Sequence, residues 1–197
     1  MPINGFNKTT LLDYPGKIAS TIFLGGCNFR CPFCQNSSLV LSPNKQPVIS
    51  TEEVLSDLKN VMGILEGVCI TGGEPTLDKD LFLLIDKIKE LGYPVKLDTN
   101  GSHPWILKKL VNNQMIDMVA MDIKSSKESY AKVSGCKNID LTSICESVEF
   151  LLSNVIPYEF RTTVVRELHD KADFDLSVSG LPDVRPISYR HTAILRM

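Results

Sequence analysis

The sequence predicts an α/β fold, a partial and open (β/α) barrel of the TIM type with five to six βα units. Short apolar runs alternate along the chain with segments of helical period, which is the order expected of a parallel sheet covered by helices. The first four predicted strands each end in glycine, cysteine or polar residues, whereas their starts are plain. Since a closed eightfold barrel needs about 250 residues, a chain of 197 residues is expected to leave the barrel open on one side.

Five strands are predicted from apolar, β-branched runs, at residues 21–24, 68–71, 95–97, 118–121 and 158–165. The first ends at Gly25 and Gly26, directly before three closely spaced cysteines. Gly-Gly-Glu-Pro, Asp-Thr-Asn-Gly and Asp-Ile-Lys follow the next three. Because the loops at the carboxyl ends of the strands build the active site of such barrels, we expect these segments to converge on one rim.

Four helices are predicted between the strands. The first begins near Ser50, which forms a capping box with Glu53, and its apolar face is expected to extend to Met62 and Leu65. The second, containing Leu81, Leu84, Ile85, Ile88 and Leu91, is expected to end at Gly92. The third has Pro104 in its first turn and Trp105 on its apolar face, and the fourth carries Ile144, Val148, Leu151 and Leu152.

No linker divides the chain, so residues 1–173 are expected to form one domain. The periodic pattern is lost after Asp173. Residues 174–197 are therefore predicted to be an irregular C-terminal tail, divergent or truncated, in which only residues 187–195 suggest a weak strand.

Composition excludes several classes of protein. With 43% apolar and 22% charged residues and a net charge of −2, the chain is neither disordered nor strongly basic, so no nucleic-acid partner is expected. No apolar run reaches the length of about 20 residues that spans a bilayer, and the first residues do not form a signal peptide. A cytoplasmic protein without a membrane partner is the expectation, acting on a small molecule or another protein.

Cys27, Cys31 and Cys34 form a CxxxCxxC motif, the strongest chemical signal in the sequence. Structural zinc prefers four ligands in paired motifs, and a disulfide needs an oxidising compartment. Three thiolates bind three irons of a [4Fe–4S] cluster and leave the fourth iron open to another ligand. Phe33, beside the last cysteine, either shields such a cluster and offers a flat surface to a base or packs in the core.

These motifs together resemble the radical S-adenosylmethionine superfamily. Within it, the segments GFNKTTLLDYPGKIASTIFLGGCNFRCPFCQN, TGGEPTL, LDTNG and MDIK are similar to the activating enzymes of glycyl radical enzymes, and most of all to activating proteins of anaerobic ribonucleoside-triphosphate reductases. The resemblance extends from about Gly5 to Asp173 and identifies residues 1–173 as a radical S-adenosylmethionine domain. Gln35 departs from the pattern, since relatives often have histidine there.

The resemblance implies a [4Fe–4S] cluster held by Cys27, Cys31 and Cys34, and S-adenosylmethionine bound to its open iron. It further implies reductive cleavage to a 5′-deoxyadenosyl radical, which removes a hydrogen atom from a glycine of a partner, here anaerobic ribonucleotide reductase. The electron would come from a donor such as flavodoxin or ferredoxin. A radical enzyme of the deazapurine synthase type and a zinc-binding module without catalysis are the alternatives.

The residues expected to contact the cofactor follow the strands: Phe33, Gly72, Gly73, Glu74, Asp98, Asn100, Asp122 and Lys124. Glu74 is an acceptor suited to the cofactor ammonium, and Asp98 and Asn100 suit ribose hydroxyls or a monovalent cation beside the cofactor. Several of these residues also have a purely structural interpretation. The two glycines could form a tight turn, Asn100 could cap a helix, and Asp122 and Lys124 could form a surface salt bridge. Arg161 is either a ligand of the cofactor carboxylate or a solvated charge, and His169 is expected to be a surface residue rather than a base.

Overall fold

The computed structural model describes residues 3–170, 173 and 190–193 of the chain. Its seven described strands form one sheet in chain order: Ile3–Thr10 (β1), Ala19–Leu24 (β2), Gly67–Gly72 (β3), Val95–Thr99 (β4), Met118–Asp122 (β5), Tyr158–Val164 (β6) and Arg190–Ala193 (β7). β1 is antiparallel to β2, and every later pair is parallel. Strands β1 and β7 are the two edges, so the barrel is partial and open, which confirms the predicted fold class.

The described helices connect the parallel strands. They are Ser37–Leu41 (α1), Thr51–Asn60 (α2), Leu81–Glu90 (α3), Pro104–Asn112 (α4), Tyr130–Ser134 (α5) and Leu141–Leu152 (α6), with short 3-10 helices at Pro43–Lys45 and Pro75–Leu77. Apolar positions of the longer helices, such as Leu84, Ile88 and Val148, are buried in the same core as Leu97 and Val119 of the sheet. Helices therefore cover the sheet in the manner of βα units.

The capping box at the first predicted helix is confirmed, because the Ser50 hydroxyl accepts the Glu53 N–H at 3.1 Å. The apolar face predicted for that helix is too long: α2 ends at Asn60, and the Met62 side chain is exposed. Trp105 was likewise predicted on the buried face of the third helix but lies at the surface. Trp105 follows Pro104 in the first turn of α4. The buried side of this helix is formed by Leu107, Leu110 and Val111.

The edge strand β1 was not predicted, because its sequence INGFNKTT is largely polar. An edge strand is stabilised by its pairing with β2 and needs little apolar side chain. At the other edge, β7 lies inside the weak strand predicted at residues 187–195 and pairs with β6. The rest of the predicted tail, residues 174–189 and 194–197, lies outside the described residues, and the domain boundary at Asp173 stays a prediction. In the described ranges, no helix is both long and apolar enough to cross a membrane.

Candidate active site

A cavity of about 680 Å³ lies at the carboxyl ends of the parallel strands and extends into the barrel. This volume is within the range of small-molecule sites. The structure brings ten of the eleven predicted site residues to its wall: Cys27, Cys31, Phe33, Cys34, Gly72, Gly73, Asp98, Asn100, Asp122 and Lys124. Glu74 is the exception. Loops from four strands therefore meet at one site, as the rule for barrel rims predicts.

The three cysteines belong to the loop that follows β2. None of them is in a disulfide, and each is partly buried. The Phe29 N–H donates to Cys27 Sγ at 3.3 Å, and the Cys34 N–H donates to the Cys31 carbonyl at 3.1 Å. Burial raises the pKa of the Cys27 thiol to about 11 and raises that of Cys31 as well. Because metal ligation requires thiolates, binding of a cluster here would release protons.

The donor set fits a cluster with three protein ligands. The other cysteines of the described residues lie elsewhere: Cys69 is buried in β3, Cys145 lies on α6, and Cys136 Sγ donates to the Asn28 carbonyl at 3.1 Å. Soft thiolates in a shared loop are the ligands that iron–sulfur clusters select. Among the residues described, no group of three or more His, Cys, Asp or Glu is arranged to hold a single metal ion.

Gly72 and Gly73 fasten the end of β3 against the cysteine loop. Gly73 N–H donates to the Leu24 carbonyl and Glu74 N–H donates to the Gly26 carbonyl, both at 2.8 Å. Gly72 has a φ of +121°, and a Cβ at Gly73 would collide with the Gly26 carbonyl oxygen. The segment is thus more than a tight turn, because only glycine permits this approach of two backbones.

Glu74 lies beneath the cavity wall, 1% exposed. One of its oxygens accepts from the backbone and hydroxyl of Thr76 and from the Thr99 hydroxyl, and the other accepts the Asn100 N–H at 2.7 Å. Burial raises the pKa of this carboxyl, and these four hydrogen bonds act against the rise. In this structure Glu74 braces the loops after β3 and β4, and its side chain does not line the cavity.

A layer of six charged side chains extends across β4, β5 and β6: Lys96, Asp98, Asp122, Lys124, Glu159 and Arg161. Lys96 donates to Asp98 at 2.6 Å and lies 3.5 Å from Glu159. Lys124 donates to Asp122 at 3.0 Å. Arg161 donates to both aspartates, each at 3.0 Å. With three cations and three carboxylates, the layer is neutral and its groups are paired, as buried charges must be.

The charges of this layer hold one another ionised. Burial alone would raise the pKa of Asp122, but Lys124 and Arg161 outweigh it and lower the pKa to about 2. Burial would likewise lower the pKa of Lys124 and of Arg161, and the neighbouring carboxylates raise both instead. The pair Asp122 and Lys124 is therefore part of the cavity wall and not a surface salt bridge.

The remaining alternatives from the sequence are also decided by geometry. Arg161 is not a solvated charge, since it is bound to Asp98 and Asp122 at the cavity. Asn100 is not the helix cap, because α4 begins after His103; the Asn100 side chain accepts the Ser102 N–H and donates to Asn28 at 2.8 Å. Phe33 lines the cavity and contacts the His169 ring edge-on.

His169, expected to be a surface residue rather than a base, is partly buried. Its Nε2 lies 2.8 Å from the Lys124 carbonyl and its Nδ1 lies 3.1 Å from the Val165 N–H. The imidazole therefore joins the loops after β5 and β6 behind Phe33. Its Nδ1 also lies 3.1 Å from the Val165 carbonyl, so each ring nitrogen faces a backbone carbonyl oxygen.

Lys96 and Glu159 were missed by the sequence analysis. Each stands two residues before another charged residue of the same strand, Asp98 on β4 and Arg161 on β6. Residues two apart face the same side of a strand. Two charged residues at this spacing, in a strand whose sequence predicts burial, are the signal from which the layer could have been predicted.

Comparisons with known proteins identify the family of this chain. The model of the Radical SAM superfamily matches residues 21–173. The chain is 34% identical over 177 residues to a Methanocaldococcus jannaschii protein named "Putative glycyl-radical enzyme activating enzyme", covering 88% of this chain and 72% of that protein. It is 33% identical over 106 residues to the 7-carboxy-7-deazaguanine synthase of Halobacterium salinarum, covering 52% of this chain and 40% of the synthase.

The structure described as "Native anSMEcpe with bound AdoMet" superimposes with a TM-score of 0.61 at 21% identity, over 80% of this chain and 46% of that one. At this identity the likeness supports the fold, the open partial barrel. The chain thus spans less than half of the synthase and of the solved protein, and nearly three quarters of the archaeal relative. The motifs, the sheet and a family match over most of the sequence lead to one conclusion: this chain belongs to the radical SAM superfamily.

Proposed function

We propose that the protein is a radical S-adenosylmethionine activase that generates a glycyl radical on a partner enzyme, the anaerobic ribonucleoside-triphosphate reductase. The observation that carries the proposal is the cavity in which three unpaired cysteines face a wall of polar residues from the neighbouring strands. The archaeal relative, similar over 88% of this chain, supports the class of reaction by its name. The resemblance of LLDYPGK and its neighbouring motifs to the reductase activators supports the choice of partner.

In this proposal Cys27, Cys31 and Cys34 hold the cluster, which supplies the electron that cleaves bound S-adenosylmethionine. The protein's own residues bind S-adenosylmethionine and orient it. The Gly72 carbonyl accepts from Asn36 Nδ2 at 2.9 Å, so the Gly73 carbonyl is the group that we expect to accept from the cofactor ammonium at this edge, which glycine keeps free of side chains. Lys124 and Arg161 offer N–H donors to its carboxylate. Glu74 acts through the loops that it joins.

The open side of the barrel is the route by which a glycine-bearing loop of a large protein would enter. Radical transfer requires the glycine near the cofactor, so this loop must enter the cavity from the side that none of the seven described strands closes. A flavodoxin or ferredoxin in the same cell would supply the electron, and both are cytoplasmic proteins. We assign the protein to the cytoplasm on this basis.

The test is electron paramagnetic resonance on anaerobic mixtures. Reconstituted protein, reductant, S-adenosylmethionine and the reductase of the same organism are expected to give a glycyl doublet. The matched control is the same reductase with the candidate glycine replaced by alanine, which should give no doublet. Cofactor cleavage without a doublet on any glycyl radical enzyme of that organism would contradict an activase.

A small-molecule radical reaction is the second candidate, because a named deazaguanine synthase is 33% identical over half of this chain. The cysteine loop and the Gly-Gly segment serve either reaction equally. The two differ in what stimulates cleavage of S-adenosylmethionine. Stimulation by a pterin or purine precursor and not by the reductase would favour the second candidate.

A further inference from the structure

We propose that the Arg161 guanidinium is the permanent cation of this site. It occupies the position between Asp98 and Asp122, so that no alkali metal ion binds there, while its remaining N–H groups stay directed to the cofactor carboxylate as in the proposed function. The inference rests on the proposed function only in that the cofactor binds in this cavity. It replaces the monovalent cation that was expected beside the cofactor at Asp98 and Asn100.

Arg161 joins carboxylates from two other strands. Its Nε donates to Asp122 Oδ1 at 3.0 Å, and its Nη1 donates to Asp98 Oδ2 at 3.0 Å. Asp98 is on β4 and Asp122 is the last residue of β5. Arg161 is on β6, where it is paired in register with Asp122. The position of the guanidinium is therefore fixed by the sheet itself and by a planar set of donors.

Each oxygen of the two aspartates already accepts from a cationic side chain. The second oxygen of Asp98 accepts from Lys96 at 2.6 Å, and the second oxygen of Asp122 accepts from Lys124 at 3.0 Å. All four oxygens thus carry a cationic donor. Hard cations need several oxygen ligands, and an added positive charge would unbalance a neutral, largely desolvated layer.

Arg161 keeps donors for an anion in the cavity. A guanidinium has five N–H groups, and the two aspartates use Nε and Nη1. Within the described residues nothing accepts from Nη2, and the side chain is 27% exposed where it lines the cavity. A carboxylate is the anion that such a fork recognises best, and the methionine part of the cofactor carries one.

The experiment compares salts. Binding of S-adenosylmethionine to the reconstituted protein is measured by equilibrium dialysis in potassium chloride and in choline chloride at equal ionic strength. The cluster-free protein is titrated with thallium(I), a potassium substitute, and followed by thallium-205 NMR. We expect the same affinity in both salts, within about twofold, and no thallium(I) binding at millimolar protein.

Arg161→Met removes the guanidinium and leaves the carboxylates. We expect its affinity for the cofactor in choline chloride to fall by about tenfold or more, with partial recovery in potassium chloride and new thallium(I) binding. The matched control is Arg166→Met, an exposed arginine just after β6, which should behave as the unchanged protein does.

An alkali dependence of cofactor binding, or thallium(I) binding, in the unchanged protein would overturn the inference, and so would full affinity of folded Arg161→Met in choline chloride. If the variant does not fold, the measurements on the unchanged protein decide alone. A protein that binds no S-adenosylmethionine in either salt would instead contradict the proposed function.

Discussion

The carboxylate of Glu74 accepts the backbone N–H of Asn100 at 2.7 Å, so the loop after β3 holds the loop after β4. The same side chain accepts from Thr76 in its own loop and from Thr99 at the end of β4. Asn100 in turn donates to Asn28, the residue after Cys27. Two loops of the cavity and the start of the cysteine loop are therefore connected through one buried carboxylate.

Replacing Glu74 with glutamine should loosen this connection. The amide would turn an N–H2 group toward N–H and O–H donors, leaving buried donors without an acceptor. We expect a loss of about 1–3 kcal/mol in the free energy of unfolding, measured by urea denaturation, and weaker binding of S-adenosylmethionine. Glu146→Gln is the control, since Glu146 forms only a surface ion pair with Lys108 and should cost less than about 1 kcal/mol. Equal costs for the two variants would show that Glu74 is not a brace.

Gly73→Ala should displace the cysteine loop. A Cβ at this position collides with the Gly26 carbonyl, which is backbone and cannot move aside as a side chain does. We expect less iron and sulfide per protein after anaerobic reconstitution, measured by chemical analysis. Gly63→Ala is the control: its φ of +83° also disfavours alanine, but nothing lies within 4 Å of the added Cβ. Full iron content in Gly73→Ala would contradict the close approach.

Cys31→Ala should abolish both the brown colour and the cleavage of S-adenosylmethionine, because two thiolates do not retain a cube that three hold. Visible absorbance measures the brown colour, and chromatography of 5′-deoxyadenosine measures the cleavage. Cys145→Ala, on α6 and apart from the cavity, should keep both properties. Turnover by Cys31→Ala would disprove the three-cysteine ligand set.

The sequence predicted which residues lie at the end of each strand better than it predicted which side chains contact one another inside the barrel. Gly-Gly at the end of β3 and Asp-Ile-Lys at the end of β5 are local patterns, and the carboxyl-end rule alone brings them to one rim. The contact between Lys96 and Glu159 depends on β4 and β6 facing each other across β5, which requires the sheet order and register. The burial of Glu74 depends on the 3-10 helix Pro75–Leu77 that follows it, whose hydroxyl and N–H donors turn the carboxylate inward.

Asp173, the last residue of the predicted domain, is bound to the loop after β5. Its carboxylate accepts from the hydroxyls of Ser125 and Ser126 and from the Asp170 N–H. Burial by itself raises the pKa of Asp173, but these donors outweigh it and lower the pKa from 3.8 to about 2. The folded state thus binds fewer protons than the unfolded state between these values.

The contribution of Asp173 to stability should therefore be complete above pH 3.8 and be lost as the pH falls to about 2. Asp173→Asn is expected to cost about 1–2 kcal/mol at pH 6, and the difference from the unchanged protein should shrink steadily below pH 4. Urea denaturation at a series of pH values measures both. Ser126→Ala, which removes one of the hydroxyl donors, should give part of the same effect with the same pH dependence. A difference that stays constant down to pH 2 would mean that the carboxylate is not held ionised by this contact.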